Sequence, residues 1–434
     1  MTRYLIPDAC IRDIGEYEKT GGYQGLEKAL SMEPGQVVEE VKKSGLRGRG
    51  GAGFPTGMKW MFAAGDPKFP KYIVCNADEG EPGTFKDKAL LKNNPHILIE
   101  GMAIAAHALK AETGYVYLRA EYPKEKEILE AALAQAHEKG FLGENIMGSG
   151  ARLDIQVHRG AGAYICGEET ALIDSLEGKR GQPRLKPPFP VNAGLWGKPT
   201  VVNNVETFAN LPFIMRAGAQ EYMKIGAPDC PGNKLFSVSG HVEKPGVYEL
   251  PMGITLKDII YDHAGGIKNG KALKAVIPGG VSAPVLPPDK IDCPMDFVSV
   301  QKWGSMLGSG GVIVFDEDTC MVQVAHRALQ FFEHESCGKC TPCREGTGWL
   351  RAILERLETR QGREGDIRLL EDVSRNIAGN TFCPLGDGAA MVVLGFLKHF
   401  KEEFSEHIEN GCPYGRTGKR PDWPVGPDRP APVQ

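Results

Sequence analysis

Four cysteines constrain this chain more than any other feature. Cys337, Cys340 and Cys343 recur at three-residue spacing, and Cys383 follows on a later segment, directly before Pro384. Two successive i, i+3 steps wrap three sulfurs around one side of a compact centre, and a remote fourth closes it, so two distant loops must meet wherever the rest of the chain goes. That donor set suits a [4Fe-4S] cluster. A zinc ion held by the same cysteines with His334 is the competing reading, although structural zinc usually takes paired CxxC or CxxC with HxxxH; unligated thiols are the third. Gly338 and Thr341-Pro342 supply a bending backbone whose N–H groups can point at sulfur, one lever on a reduction potential.

The remaining cysteines, Cys10, Cys75, Cys166, Cys230, Cys293, Cys320 and Cys412, are scattered and read as small buried hydrophobes. The opening Met1-Thr2-Arg3-Tyr4-Leu5-Ile6-Pro7-Asp8 carries no apolar signal region, so the expected compartment is a reducing cytoplasm, where disulfides are rare. With 51 Lys+Arg against 55 Asp+Glu the net charge is −4, which leaves no basic footprint for nucleic acid. The best apolar run, Ala389 to Leu397, is too short for a membrane span, so no direct membrane insertion is expected.

The expected fold class is α/β: a layered ligand-binding α/β domain, then a β-grasp (ubiquitin-like) module, then a C-terminal helical bundle carrying the cluster. Residues 1–65 comprise an N-terminal helical segment and a glycine-rich loop; residues 1–45 read as helical and polar, with a helix through Val41-Lys42-Lys43 that stops at Gly45. Over 66–230 strand-like runs at Tyr72–Cys75, Tyr115–Arg119 and Leu153–His158 alternate with helix-like runs at Ile97–Lys110, Lys124–Lys139 and Glu168–Leu176, as a parallel sheet requires. Over 231–316 a hairpin around Pro245-Gly246, a helix from Thr255 to His263 and a strand Leu273–Ile277 fit the β-grasp order. Over 317–410 apolar residues recur three and four apart, as in Val322, Ala325, Leu329 and Phe332, and predict four packed helices. Residues 411–434 are proline-rich and read as an extended or disordered tail.

Three loops carry ligand chemistry. Gly48-Arg49-Gly50-Gly51-Ala52-Gly53 matches G-x-G-x-x-G, but a helix precedes it where a dinucleotide fingerprint needs a strand. Close backbone approach, the charges of Arg49 and Lys59, and the flat rings of Phe54, Trp60 and Phe62 still suit an aromatic ligand bearing phosphate. Asn76-Ala77-Asp78-Glu79-Gly80-Glu81 closes the first strand with carboxylates that suit sugar or ribityl hydroxyls. Arg159 to Thr170 leads from a strand into a helix N-terminus, Lys186-Pro187-Pro188-Phe189-Pro190 presents one ring, and Asn203-Asn204 offers amides. The glycine loop is also readable as a mobile loop with core aromatics, and the carboxylate loop as a solvated turn.

On these strings, and on Glu335 to Gly346, the chain resembles the NADH-binding flavoprotein subunit of respiratory complex I, in order over roughly residues 20–405. The resemblance implies an NADH dehydrogenase with FMN, a [4Fe-4S] cluster and NADH as substrate. It implies that Gly48, Arg49, Gly50, Lys59, Asn76, Asp78, Glu79, Tyr164, Gly167, Glu168, Asn203 and Asn204 line FMN. Phe54, Phe62 and Phe189 would stack on NADH with Glu81, Glu169 and Lys186 nearby, and Glu169 at the adenosine ribose would repel the 2′-phosphate of NADPH. Cys337, Cys340, Cys343 and Cys383 would hold the cluster, and no side chain is needed as acid or base. Gly80 departs from relatives that carry Ser there. Implied partners are a small thioredoxin-like [2Fe-2S] subunit and the large iron–sulfur subunit of the peripheral arm, on the cytoplasmic side of the inner membrane. The homologous diaphorases of NAD-linked hydrogenases and formate dehydrogenases share these motifs, and a zinc-stapled assembly subunit without activity is the alternative from another class.

Overall fold

The computed structural model describes residues 3–415. Three short helices lead in: α1 (Ile14–Lys19), α2 (Gln24–Leu30) and α3 (Pro34–Lys43), followed by the glycine-rich loop and α4 (Thr56–Gly65). The segment through residue 45 is not simply polar. Leu5, Ile14, Tyr17, Tyr23 and Leu26 are buried, because Glu100, itself buried, accepts hydrogen bonds from Tyr17 Oη (2.5 Å), Tyr23 N (2.9 Å) and Leu26 N (3.1 Å) and clamps these helices to the domain behind them.

That domain is a parallel sheet of β1 (Tyr72–Ala77), β2 (Thr113–Leu118), β3 (Asp154–Arg159) and β4 (Thr200–Asn204), in the order β3-β2-β1-β4. Parallel neighbours need crossovers. Here they run through α5 (Lys86–Asn93), α6 (Pro95–Leu109), α7 (Pro123–Glu138) and α8 (Glu169–Leu176), with α9 (Val205–Ala209) leaving β4. Helix α6 is buried along almost its whole length, each large apolar side chain contributing roughly 1.5–3 kcal/mol. The chain begins in β1, moves out through β2 and β3, then crosses to β4 on the other side of β1. A crevice therefore opens at the carboxyl ends of β1 and β4, where connections depart in opposite directions.

The second sheet holds β5 (Asn233–Gly240), β6 (Gly246–Pro251), β7 (Leu273–Ile277) and β8 (Gly311–Asp316), in the order β6-β5-β8-β7. β5 and β6 form the hairpin, β8 lies parallel to β5, and a helical turn capped by Thr255 packs beneath, which is the β-grasp arrangement. The bundle consists of α10 (Met321–Glu335), α11 (Thr341–Glu358), α12 (Asp366–Ile377) and α13 (Pro384–Glu409), with Val322, Ala325, Leu329 and Phe332 facing its core.

Two expectations need correction. The chain beyond Gly411 does not leave at once as a tail: Cys412 is buried, and Tyr414 lies under Lys274 with the ammonium 4.4 Å from the ring centre. Residues 416–434, the rest of the expected tail, lie outside the described residues. Of the seven scattered cysteines, Cys10 is exposed and the other six are buried.

Candidate functional site

The glycine loop folds over the crevice because its ends pair with each other: Arg47 bridges Pro55, and Gly48 N donates to Phe54 O at 2.9 Å. Only glycine fits position 53, where φ is +64° and a Cβ would lie 2.6 Å from the Phe297 ring. Gly50 rests on Asn204 at the end of β4, with space for a Cβ only 3.0 Å from Asn204 Cβ. On the β1 side Asn76 Nδ2 donates to Gly167 O (2.8 Å), which draws the third loop onto the second.

Asp78 carries the clearest ligand signal in the crevice. Its Oδ2 is buried without a hydrogen-bond partner among the described residues, and burial pushes its carboxyl up to about 7, against the opposing pull of Arg119. A carboxyl poised there can meet a ligand hydroxyl or ring nitrogen as donor or acceptor. This orphaned group beside a glycine-lined backbone fits a flavin nucleotide.

Other expected residues have their side chains committed within the protein. Glu79 accepts from Asp87 N (2.8 Å), Lys88 N (3.0 Å) and Tyr122 Oη (2.9 Å), and burial beside Asp87 raises its carboxyl to about 7. Asn204 bonds Asp87 and Lys86, and Asn203 Oδ1 accepts from Trp60 Nε1 at 3.1 Å. Arg49 is fully buried, its Nη2 donating to Pro231 O (2.7 Å) and Tyr222 Oη (3.1 Å), while its Nε and Nη1 have no hydrogen-bond partner among the described residues. Glu81 accepts from Tyr164 Oη (2.5 Å) and Ser282 N (2.7 Å), tying the crevice to the β-grasp module. A side chain at Gly80 would press on the Tyr164 ring at 3.0 Å, a physical reason for glycine at this departure.

At the mouth, Glu168 caps α8 by accepting from Thr170 N and Ala171 N, both at 2.9 Å, and pairs with Lys186 at 2.6 Å. Burial opposes its ionisation, but Lys186 and these N–H donors outweigh it and hold the carboxyl below its ordinary value. Glu169 in the first turn pairs with Lys59 (3.1 Å) and Lys186 (3.6 Å), and Lys59 also reaches Val202 O. Phe54, Phe62 and Phe189 are about half exposed, at 48%, 48% and 51%. Phe62 lies on α4, which packs against the one-turn helix that Phe189 begins.

All four cluster cysteines line one cleft with Ile165, Pro183, Lys339 and Phe382, while His334 does not. Among the described residues no three of these sulfurs lie within 4.8 Å of one another. Cys340 and Cys383 are the N-cap residues of α11 and α13, whose positive ends favour thiolates. Burial pushes the Cys383 thiol up to about 12, against the backbone N–H of Leu385. The cleft and the crevice share a wall. Tyr164 N donates to Glu335 Oε2 (3.0 Å), and Arg180 Nη2 donates to Cys337 O (3.0 Å).

Sequence reasoning missed Ser282, Arg119 and the buried web of Lys86, Asp87, Glu206 and Lys234 beneath the crevice. Lys86 pairs with Asp87 at 2.7 Å and Glu206 at 2.9 Å, and Lys234 with Glu206 at 3.2 Å. Lys86-Asp87 and Glu206 directly follow the motif loops, which is the signal that was available.

Fold and site together define a flavin-binding, iron–sulfur electron-transfer protein. Family models match in the same places: Nuo51 FMN-binding domain over residues 41–213, SLBB domain over 234–314, and NADH-ubiquinone oxidoreductase-F iron-sulfur binding region over 323–407. The second of the NADH-quinone oxidoreductase F subunits of Rhizobium meliloti is 56% identical over 411 residues, 94% of this chain and 97% of that one. The NADH-quinone oxidoreductase F subunit of Aquifex aeolicus is 52% identical over 400 residues, 92% of each chain. The chain belongs to this family, the F subunits of NADH-quinone oxidoreductase. It is also similar to the crystal structure of an NAD+-reducing [NiFe]-hydrogenase in the air-oxidized state, with TM-score 0.82 and 38% identity over 91% of this chain. It spans only 66% of that hydrogenase chain.

Proposed function

We infer that this chain is the NADH-oxidising subunit of an NADH-quinone oxidoreductase complex, binding FMN in the crevice and a [4Fe-4S] cluster in the cysteine cleft. The observation that carries this reading is the shared wall: the loop closing the crevice donates from Tyr164 to Glu335, two residues before Cys337. Bound there, FMN supplies the conversion of a two-electron hydride donor into single electrons for the cluster.

The chain's own residues bind, orient and exclude water. Gly48, Gly50 and Gly167 let backbone approach FMN, and Asp78 meets it with the orphaned carboxyl. Lys59, Asn76, Tyr164, Glu168, Asn203 and Asn204 shape the walls, while Arg49 and Glu79 brace the loops from behind. Phe54, Phe62 and Phe189 are covered by NADH, with Glu81, Glu169 and Lys186 setting the charge at its entry. No side chain has to move a proton for hydride transfer. Cys337, Cys340, Cys343 and Cys383 ligate the cluster.

We take the functional units to be 1–65, 66–230, 231–316 and 317–410, with a small thioredoxin-like [2Fe-2S] subunit and the large iron–sulfur subunit receiving electrons on the cytoplasmic side of the membrane. No helix among the described residues is long and apolar enough to cross a membrane. The test is NADH:ferricyanide turnover by the complex together with its FMN content. Turnover that disappears when FMN is stripped and returns when it is restored supports the reading; a colourless complex with full metal occupancy and no turnover overturns it.

A further inference from the structure

The bundle carries a second cluster of ligating groups at its other end. Cys320 is the N-cap of α10, His407 lies in the last turn of α13 and Cys412 just beyond it, and their ligand atoms all lie within 4.8 Å of one another. Cys320 Sγ is 3.3 Å from His407 Nε2 and 3.6 Å from Glu358 Oε1, and His407 Nε2 is 3.7 Å from the same Glu358 oxygen. We propose that Cys320, His407, Cys412 and Glu358 hold a structural zinc ion at the end of the bundle opposite the [4Fe-4S] cleft.

The geometry is that of a coordination shell waiting to contract. Zinc bonds of about 2.0–2.3 Å in a tetrahedron separate neighbouring ligand atoms by roughly 3.3–3.8 Å; the Cys320, His407 and Glu358 atoms stand 3.3, 3.6 and 3.7 Å apart, and Cys412 Sγ, within 4.8 Å of the Cys320 and His407 atoms, has to draw in. His407 is oriented for it: Nδ1 donates to Glu403 O at 2.7 Å, so the Nε2 lone pair faces the sulfur. That backbone bond on the far nitrogen is the usual support of a metal-bound imidazole. Cys320 Sγ also accepts from Gln323 N at 3.4 Å, a bond that opposes the burial pushing its thiol well above the ordinary value. Cys320 and His407 are 0% and 1% exposed and Cys412 is 8% exposed. Two thiolates with an imidazole and a carboxylate select zinc over hard cations such as calcium or magnesium, and four protein ligands leave no open position for catalysis.

This site is separate from the redox centre. Cys340 caps the start of α11 and Glu358 ends it, 18 residues on, so the two centres stand about 27 Å apart along one helix. The ion would close the far ends of α10, α11 and α13 together and pin the chain that leaves the bundle at Cys412.

The experiment uses the intact complex, prepared without added zinc or a histidine tag. Zinc is measured by mass spectrometry per FMN, with zinc K-edge absorption to read the ligand shell. One zinc per chain is expected, with two sulfurs at about 2.3 Å and two lighter atoms at about 2.0 Å. The Cys320→Ala/Cys412→Ala variant loses that zinc at least tenfold while keeping its flavin and iron. If the variant fails to fold, the wild-type spectrum decides alone. A zinc-free complex, a four-sulfur shell from zinc in the Cys337 cleft, or a Cys320–Cys412 disulfide overturns the proposal.

Discussion

Asp78 and Glu169 show how much a single carboxylate can decide. Asp78 is raised from 3.8 to about 7 by burial, so between about pH 4 and 7 the unfolded chain has lost a proton that the folded chain keeps. Stability from this group therefore falls as pH rises through that window and is flat above it. Asp78→Asn in FMN-stripped protein is expected to be more stable than wild type at pH 8, by on the order of 2 kcal/mol, with the gain vanishing near pH 4. Thermal melts across that range measure it, and a gain of equal size at both ends would contradict the burial account. Glu169 faces Lys59 and Lys186 at the mouth. Glu169→Gln is expected to lower the NADH:NADPH ratio of kcat/KM about tenfold, some 1.4 kcal/mol. Steady-state rates with both dinucleotides check it, and an unchanged ratio removes Glu169 from selectivity. Residue types pointed to these sites, but orientation did not follow from type. Glu79 has the chemistry of a ligand contact, yet capping of α5 takes its carboxylate, whereas Arg49 spends only Nη2 on Tyr222 and Pro231.

At the scale of elements, long periodic runs were readable and short buried ones were not. Helices α6, α7 and α10 and strands β1 to β3 fall within a few residues of where periodicity put them. Strands β4 and β8 were missed for different reasons. Thr200-Val201-Val202 is too brief an apolar run before its two asparagines, and Gly311–Asp316 is a central strand whose continuous apolar run has no alternation to read. The burial of the N-terminal helices was hidden because it depends on Glu100, far along the chain. Glu100→Ala would strand the Tyr23 and Leu26 amides and cost about 3 kcal/mol, read as a lower urea midpoint with unchanged slope. A midpoint shift under a third of that would mean water replaces the carboxylate. The caps of α11 and α13 make a redox prediction. Cys383→Ala is expected to lose cluster iron and quinone reduction while NADH:ferricyanide turnover persists at the flavin; retained quinone reduction would show that the cluster is not on the path.

Across the whole molecule, three bodies meet around one loop. Glu81 joins the α/β domain to Ser282 of the β-grasp module, and Tyr164 and Arg180 join it to the segment bearing Cys337. The four-cysteine spacing announced that two distant loops must converge; it could not announce that a third, from residues 160–168, would lie against them. That contact sets the crevice against the cluster cleft. The most direct measurement is an anaerobic NADH titration of the complex followed by visible absorbance and electron paramagnetic resonance. Flavin bleaching together with a reduced [4Fe-4S] signal that Cys383→Ala abolishes, without abolishing the bleaching, is the predicted result. A cluster signal that NADH develops equally well in FMN-stripped protein, or bleaching with no cluster reduced in wild type, would contradict it.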